Sequence, residues 1–238
     1  MRLRLPAERP TEPPTGYKIA RPVLSHDGTR AGFTGVSLGG ALPYGVLDDA
    51  ACVYGRRHRP PARLCDCGFH CVHDRTAAEA LLCAPEHRAA VLLEVSVLGA
   101  YIRFERGFRY ARQRVRTATA GPCACGAAAV ALADADRGRP GWRALAPACA
   151  GCARGRTSVS LAGFARLAGE GLRVVAGGGL AVSSVGATAG EAAGATAGGE
   201  PGVPELVAEA ALLQARLDWF QTQLARLGER GAGGAEKG

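Results

Sequence analysis

Residues 123–152 read CACGAAAVALADADRGRPGWRALAPACAGC. The stretch begins and ends with a pair of closely spaced cysteines, and 23 residues separate the two pairs. Two such pairs are what two metal-binding turns need to close a tetrahedral site of four thiolates. We therefore predict a metal ion bound by Cys123, Cys125, Cys149 and Cys152. Because four protein ligands leave no coordination position for a substrate, this site would be structural.

The residues between the two pairs have the composition of a β-hairpin. Apolar segments at 129–132 and 142–145 flank residues 134–141, which are rich in Asp, Gly and Pro. A metal-binding turn, a hairpin and a second metal-binding turn make up a zinc ribbon. The sequence therefore predicts a zinc-ribbon unit over residues 120–176, although four thiolates can also bind iron.

A second set of candidate ligands lies upstream, in the order Cys-x5-His-x6-Cys-x-Cys. It consists of Cys52, His58, Cys65 and Cys67. The tetrapeptide CDCG at 65–68 is similar to CACG at 123–126, and each glycine can free backbone amides to face sulphur. We predict a second structural zinc site here. Five nearby residues have suitable chemistry to replace one of the four: His70, Cys71, His73, Cys83 and His87.

Four short motifs follow one another between residues 51 and 109. They are Ala51-Cys52, His58-Arg-Pro-Pro, Cys65-Asp-Cys-Gly-Phe-His and, after Gly99, Glu105-Arg-Gly-Phe-Arg. In this order they resemble the motifs Ala-Cys, His-x-x-Pro, Cys-x-Cys-Gly and His-Glu-x-Gly-Tyr-Arg of an uncharacterised actinobacterial Cys/His-rich family. The resemblance covers residues 17–117 and implies Cys52, His58, Cys65 and Cys67 as ligands rather than Cys71. Leu98 and Phe108 depart from the family, which has Trp and Tyr there, and no activity is implied.

The pattern of apolar residues predicts an α+β fold. Residues 17–24, 91–98 and 108–117 have the composition of strands, residues 76–82 that of a short helix, and the glycine-rich segment 33–47 that of an irregular region. We expect a small antiparallel sheet domain with one helix, then the zinc ribbon and a C-terminal coiled-coil helix. The predicted divisions are a disordered leader 1–16, a Cys/His-containing sheet domain 17–119, the ribbon unit 120–176, a flexible Gly/Ala tether 177–203, a coiled-coil helix 204–228 and a disordered tail 229–238.

Positive charge is concentrated between residues 101 and 116, where six arginines and one glutamate alternate with aromatic residues. On an extended strand five alternate residues would share one face: Phe108, Tyr110, Arg112, Arg114 and Arg116. Together with Arg109 they are candidates for nucleic-acid binding, because aromatic rings stack on bases and arginines neutralise phosphates. The alternative is a solvated strand whose arginine stems cover an apolar patch.

Beyond the tether, apolar residues recur at alternating steps of four and three. They are Leu206, Ala210, Leu213, Leu217, Phe220, Leu224 and Leu227. This heptad pattern predicts a helix that binds a second copy of the chain or another protein. The alternative is that the helix docks on its own domain.

The sequence says less about function than about structure. The net charge is +8, and the nine cysteines come without an export signal or a membrane-spanning segment, which favours a cytoplasmic setting. We interpret the chain as a zinc-stabilised binding or adaptor module for a protein or nucleic-acid partner. The alternative is a metal-dependent or cysteine-based enzyme that uses Cys71 with His70 and His73; the sequence contains no nucleophile elbow or phosphate-binding loop to support it.

Overall fold

The structure is a computed structural model and describes residues 12–36, 42–52 and 54–177. All of these belong to the first of two units, Met1–Val185 and Gly186–Gly238. Residues 1–11 of the predicted leader, nearly all of the tether, the predicted coiled-coil helix 204–228 and the tail 229–238 lie outside the described residues.

The described residues form ten strands, which make up one sheet. The strands are β1 (Thr15–Ser25), β2 (Ala31–Gly35), β3 (Leu47–Asp49), β4 (Phe69–Val72), β5 (Val91–Arg103), β6 (Gly107–Ala120), β7 (Ala131–Arg139), β8 (Trp142–Ala148), β9 (Ser158–Ser160) and β10 (Arg173–Ala176). The helices of this part of the chain are α1 (Arg75–Leu82), α2 (Ala150–Ala153) and α3 (Leu161–Ala168), with a short 3-10 turn at Pro85–His87.

This architecture is mainly β, so the predicted α+β class with a separate ribbon is wrong. The helices span only 8, 4 and 8 residues, and they cover a sheet that includes the supposed ribbon. The ribbon is not separate because β8 pairs with β1, through Val23 with Ala144 and Ser25 with Trp142. The predicted boundary at residue 119 stays a prediction, although strand pairing crosses it.

The long hairpin of β5 and β6 is the frame of the sheet. β5 pairs along one edge of β6 and also with the first half of β1. The other edge of β6 pairs in turn with β4, β3 and the parallel strand β10. Strand β4 also pairs with β1, where Val72 lies opposite Tyr17. The path β1–β5–β6–β4 therefore returns to β1, and the sheet closes on itself. Strands β2 and β3 replace part of the irregular segment predicted for 33–47.

Aromatic side chains fill the interior of the closed sheet. Phe33 packs edge-on against Phe164 of α3, with ring centroids 5.5 Å apart, and Tyr44 packs against Phe69 at 5.3 Å. The ring centroids of Tyr110 and Phe69 are 5.9 Å apart. The protein has few aromatic residues, but the five named here share one core, where each removes a large area from water.

Each of the two eight-residue helices begins at a side-chain cap. Asp74 caps α1 by accepting a hydrogen bond from the Ala77 backbone N–H, and Ser160 caps α3 by accepting one from Gly163. Helix α1 covers a second, smaller apolar cluster that contains Ile19, Ala78 and Leu92. No helix within the described ranges has both the length and the apolar character required to cross a membrane.

Candidate metal centres

The upstream ligand set, here called the first cluster because it comes first along the chain, is brought together in the loop between β3 and β4. The ligand atoms of Cys52, His58, Cys65 and Cys67 all lie within 4.8 Å of one another. The sulphurs of Cys52 and Cys65 are 3.9 Å apart, and His58 Nε2 is 3.0 Å from the sulphur of Cys67. Cys65 and Cys67 are buried. Four ligand atoms around one point could hold a metal ion.

The sheet explains why this loop closes. Strands β3 and β4 both pair antiparallel with the same edge of β6, so the two ends of the loop start from neighbouring positions. A turn follows Cys52, with the Gly55 N–H donating to the Cys52 carbonyl over 3.1 Å. Gly68 has a φ of +129°, and a Cβ there would lie 3.2 Å from the Tyr110 carbonyl oxygen. Only glycine can therefore make this close approach without strain.

Arg109 joins this loop to the sheet. Its guanidinium donates to the Cys65 carbonyl, and also to the Ala62 carbonyl over 3.1 Å. The side chain is buried. Its Nη1 lies 3.5 Å from Asp66 Oδ1, and its Cζ lies 5.8 Å from the centroid of the Phe104 ring. Arg109 was predicted to bind nucleic acid. The structure places its buried guanidinium against the backbone that carries two candidate metal ligands, Cys65 and Cys67.

The thiols of the first cluster differ in their electrostatic environment. Burial would raise the pKa of Cys52, but the backbone N–H groups of Tyr54 and Arg56 outweigh it and hold that pKa below its ordinary value. Burial raises the pKa of Cys67 to about 11. A bound cation would favour the thiolate form of each ligand, so metal binding here releases protons.

The second ligand set is also brought together. The sulphurs of Cys123, Cys125, Cys149 and Cys152 lie within 4.8 Å of one another, and those of Cys125 and Cys149 are 3.6 Å apart. The reason is the antiparallel hairpin of β7 and β8, whose open end aligns Ala131 with Ala148. One cysteine pair precedes β7 and the other follows β8, so both pairs reach the same end.

Backbone amides face the sulphurs of the second cluster. The Cys152 N–H lies 3.5 Å from the sulphur of Cys149, which caps the short helix α2. Backbone N–H groups of Cys125 and Cys149 lower the pKa of Cys123 to about 6. The neighbouring thiols, Cys123 first, raise the pKa of Cys152 to about 12. A bound cation would offset the electrostatic repulsion between the neighbouring thiolates.

The residues proposed as replacement ligands lie outside both clusters as the structure describes them. Cys71 is buried on β4, and burial raises the pKa of its thiol to about 11. His70 precedes it on the strand and is exposed, so the two side chains point to opposite faces. His73 contacts the Phe104 carbonyl at 3.0 Å. The nucleophile and base of the alternative enzyme are therefore not brought together.

The predicted nucleic-acid face on β6 is divided by irregularities in the strand pairing. Register shifts against β5 occur at Glu94/Val95 and Leu98/Tyr101. Phe108 and Tyr110 are buried in the core. Outside, Arg112 lies 3.6 Å from Asp49 and Arg116 donates to Ser96 over 2.9 Å, while Arg114 is half-buried. The two buried rings are therefore not exposed beside these arginines, and nucleic-acid binding by this strand stays a prediction.

Lys18 is a half-buried charged residue that no sequence motif indicated. Its ammonium lies 5.0 Å from the ring centroids of both Tyr44 and Phe69. Burial lowers the pKa of Lys18 to about 8, while the nearby Cys71 acts in the opposite direction. The signal in the sequence was weak: Lys18 is one of only two lysines in the chain.

Replacing Lys18 with Met is expected to raise the free energy of unfolding by about 2 kcal/mol at neutral pH. Folding lowers the pKa of this lysine from 10.5, so below about pH 8 the folded state holds a charge that burial disfavours. That cost falls as the pH rises from about 8 toward 10.5, and the advantage of the variant should shrink there. Urea denaturation of both proteins at about pH 7 and about pH 9.5 measures this. An equal difference at both values would contradict it.

No family model, curated protein or solved structure matches the chain.

Proposed function

We propose that the chain is a zinc-stabilised binding module with two structural zinc ions. The observation that carries the proposal is the convergence of two sets of four ligand atoms, each within 4.8 Å. Both sets supply four protein ligands, so neither ion would keep a position for substrate or water. The ions would hold loops of a mainly β fold in place, and the loops would contact a partner.

Sulphur spacing favours one ion in each cluster. Tetrahedral zinc with Zn–S bonds of about 2.3 Å places its sulphurs about 3.8 Å apart. The observed separations are 3.9 Å for Cys52 with Cys65 and 3.6 Å for Cys125 with Cys149. An iron–sulphur cluster would also need some ligand separations above the observed 4.8 Å, because its four ligands do not all bind the same iron. Three cysteines with one histidine, as in the first cluster, are a common set for structural zinc.

A binding role is favoured over catalysis by the geometry around the ligands. In both proposed sites the four coordination positions of the ion would be filled by protein ligands. The thiol of Cys71 is buried and faces away from His70. The resemblance of residues 17–117 to the Cys/His-rich family supports the same ligand choice in the first cluster.

The metal content of the protein tests the proposal. Elemental analysis of chain purified without chelator is expected to give about two zinc and almost no iron per chain. Replacing Cys65 and Cys67 with Ser should leave one zinc, as should replacing Cys123 and Cys125. Replacing the exposed Cys83, which lies outside both clusters, should leave two. A wild-type chain without metal would overturn the proposed function.

A further inference from the structure

The loop that carries the first cluster exposes a group of arginines. We call residues 52–67 the metal loop; it contains four arginines and one acidic residue, Asp66. The arginines are Arg56, Arg57, Arg59 and Arg63, and all four side chains are exposed. Within the part of the chain that the structure describes, no ion pair joins any of them to a carboxylate. Asp66 faces Arg109 instead.

These arginines lie next to the candidate ligands of the first cluster. Arg57 and Arg59 flank the candidate ligand His58, and Arg63 lies two residues before Cys65. Arg109 fixes the same segment through the carbonyls of Ala62 and Cys65. A loop fixed in this way loses little conformational entropy when it binds a partner, because ordering has already occurred on metal binding. The arrangement therefore suits recognition of repeated negative charges.

Exposed apolar groups accompany the charge. Tyr54 is 60% exposed and Leu64 is 94% exposed, both within the metal loop. Phe104, at the tip of the β5–β6 hairpin, is 51% exposed and borders the same loop through Arg109. Aromatic rings next to unpaired arginines are the usual means of binding single-stranded nucleic acid, because bases stack on the rings while arginines bind phosphates.

We infer that the metal loop binds the phosphate backbone of single-stranded nucleic acid through Arg56, Arg57, Arg59 and Arg63, with Tyr54 stacking on a base. This inference rests on the proposed function, because the bound metal holds the loop. It differs from the predicted face on β6, whose aromatic rings are buried and whose outer arginines contact Asp49 and Ser96. An acidic protein surface is the competing partner, and the exposed tyrosine favours nucleic acid.

Fluorescence anisotropy with the zinc-loaded full chain tests the inference. The probes are labelled single-stranded DNA and RNA of about 20 nucleotides at low salt. Replacing all four arginines with Ala should weaken binding at least about tenfold and reduce the slope of log affinity against log salt by about 3. Tyr54→Ala should weaken binding severalfold and leave that slope unchanged. If one strand type binds more tightly, the sugar is also recognised, which supports the inference.

A matched control removes the same charge elsewhere. Replacing the exposed residues Arg30, Arg88, Arg137 and Arg166 with Ala should change the affinity less than about threefold. Equal losses in the two variants would show that only net charge matters, which would overturn the inference. Equal competition by polyglutamate would overturn it in favour of an acidic protein.

The metal content of each preparation separates the two proposals. Two zinc per chain with no binding of either oligonucleotide would overturn the inference and leave the proposed function intact. A chain without zinc would overturn both. If the four-arginine variant keeps two zinc, its weaker binding reflects the lost side chains rather than a collapsed loop.

Discussion

Replacing Cys149 and Cys152 with Ser is expected to remove one zinc per chain and to lower the free energy of unfolding by at least about 5 kcal/mol. The large effect has two sources. The metal contributes its binding energy only to the folded state. The second cluster also joins the turn after β6 to the end of β8, across the open end of the β7–β8 hairpin. Without the ion, nothing replaces that connection.

Chemical denaturation followed by circular dichroism, with zinc content measured in parallel, checks this result. Cys83→Ser is the matched control, because that cysteine is exposed and its sulphur lies 3.9 Å from the Glu79 carbonyl rather than in a cluster. It should keep two zinc and change stability by less than about 0.5 kcal/mol. A double variant as stable as the wild type would show that the second cluster does not support the fold.

Replacing Gly107 with Ala is expected to lower the free energy of unfolding by at least about 4 kcal/mol, or to prevent folding. A Cβ at this position would overlap the carbonyl oxygen of Cys71 on β4. Val72 pairs with Gly107, so relief of the overlap requires β4 to move away from β6. Strand β4 begins directly after the first cluster, and the variant should therefore also bind zinc less tightly there.

The matched control for this variant is Gly45→Ala. The nearest atom to a Cβ at Gly45 is the Leu47 carbonyl oxygen at 3.9 Å, an ordinary contact, and its φ is not in the left-handed region. The hydrogen bond that the Gly45 backbone N–H donates to the Asp48 carboxylate would persist in the variant. The change should alter stability by less than about 1 kcal/mol. Similar stabilities for the two variants, by thermal or chemical denaturation, would contradict the close packing of β4 on β6.

Local chemistry made both candidate metal clusters predictable. Cys123 with Cys125 and Cys149 with Cys152 are close in the sequence, and the hairpin between them is encoded by its own turn residues. The caps at Asp74 and Ser160 are similar cases, since each contacts a backbone N–H only three residues away. Such signals depend on neighbours along the chain, so they can be interpreted without the fold.

The charged surfaces were predicted less well. Alternation along β6 placed Phe108 and Tyr110 beside Arg112, and that argument assumes a regular strand. In the structure Phe108 and Tyr110 are buried while Arg112 is exposed, and which side chains are buried depends on the elements packed against the strand. The arginines of the metal loop were visible in the sequence, but their significance depended on knowing that the structure leaves them exposed and without carboxylate partners.

By itself, the sequence determined the two ligand sets and the hairpin between the downstream cysteine pairs, because each depends on residues that are close along the chain. Only the tertiary structure decided that β8 joins β1, that β3 and β4 share an edge of β6, and that Arg109 is buried beneath the metal loop. Those features depend on which strand edges meet. Strand pairing uses backbone groups that all residues share, so edges distant in sequence are matched by the packing of the whole sheet rather than by a local motif.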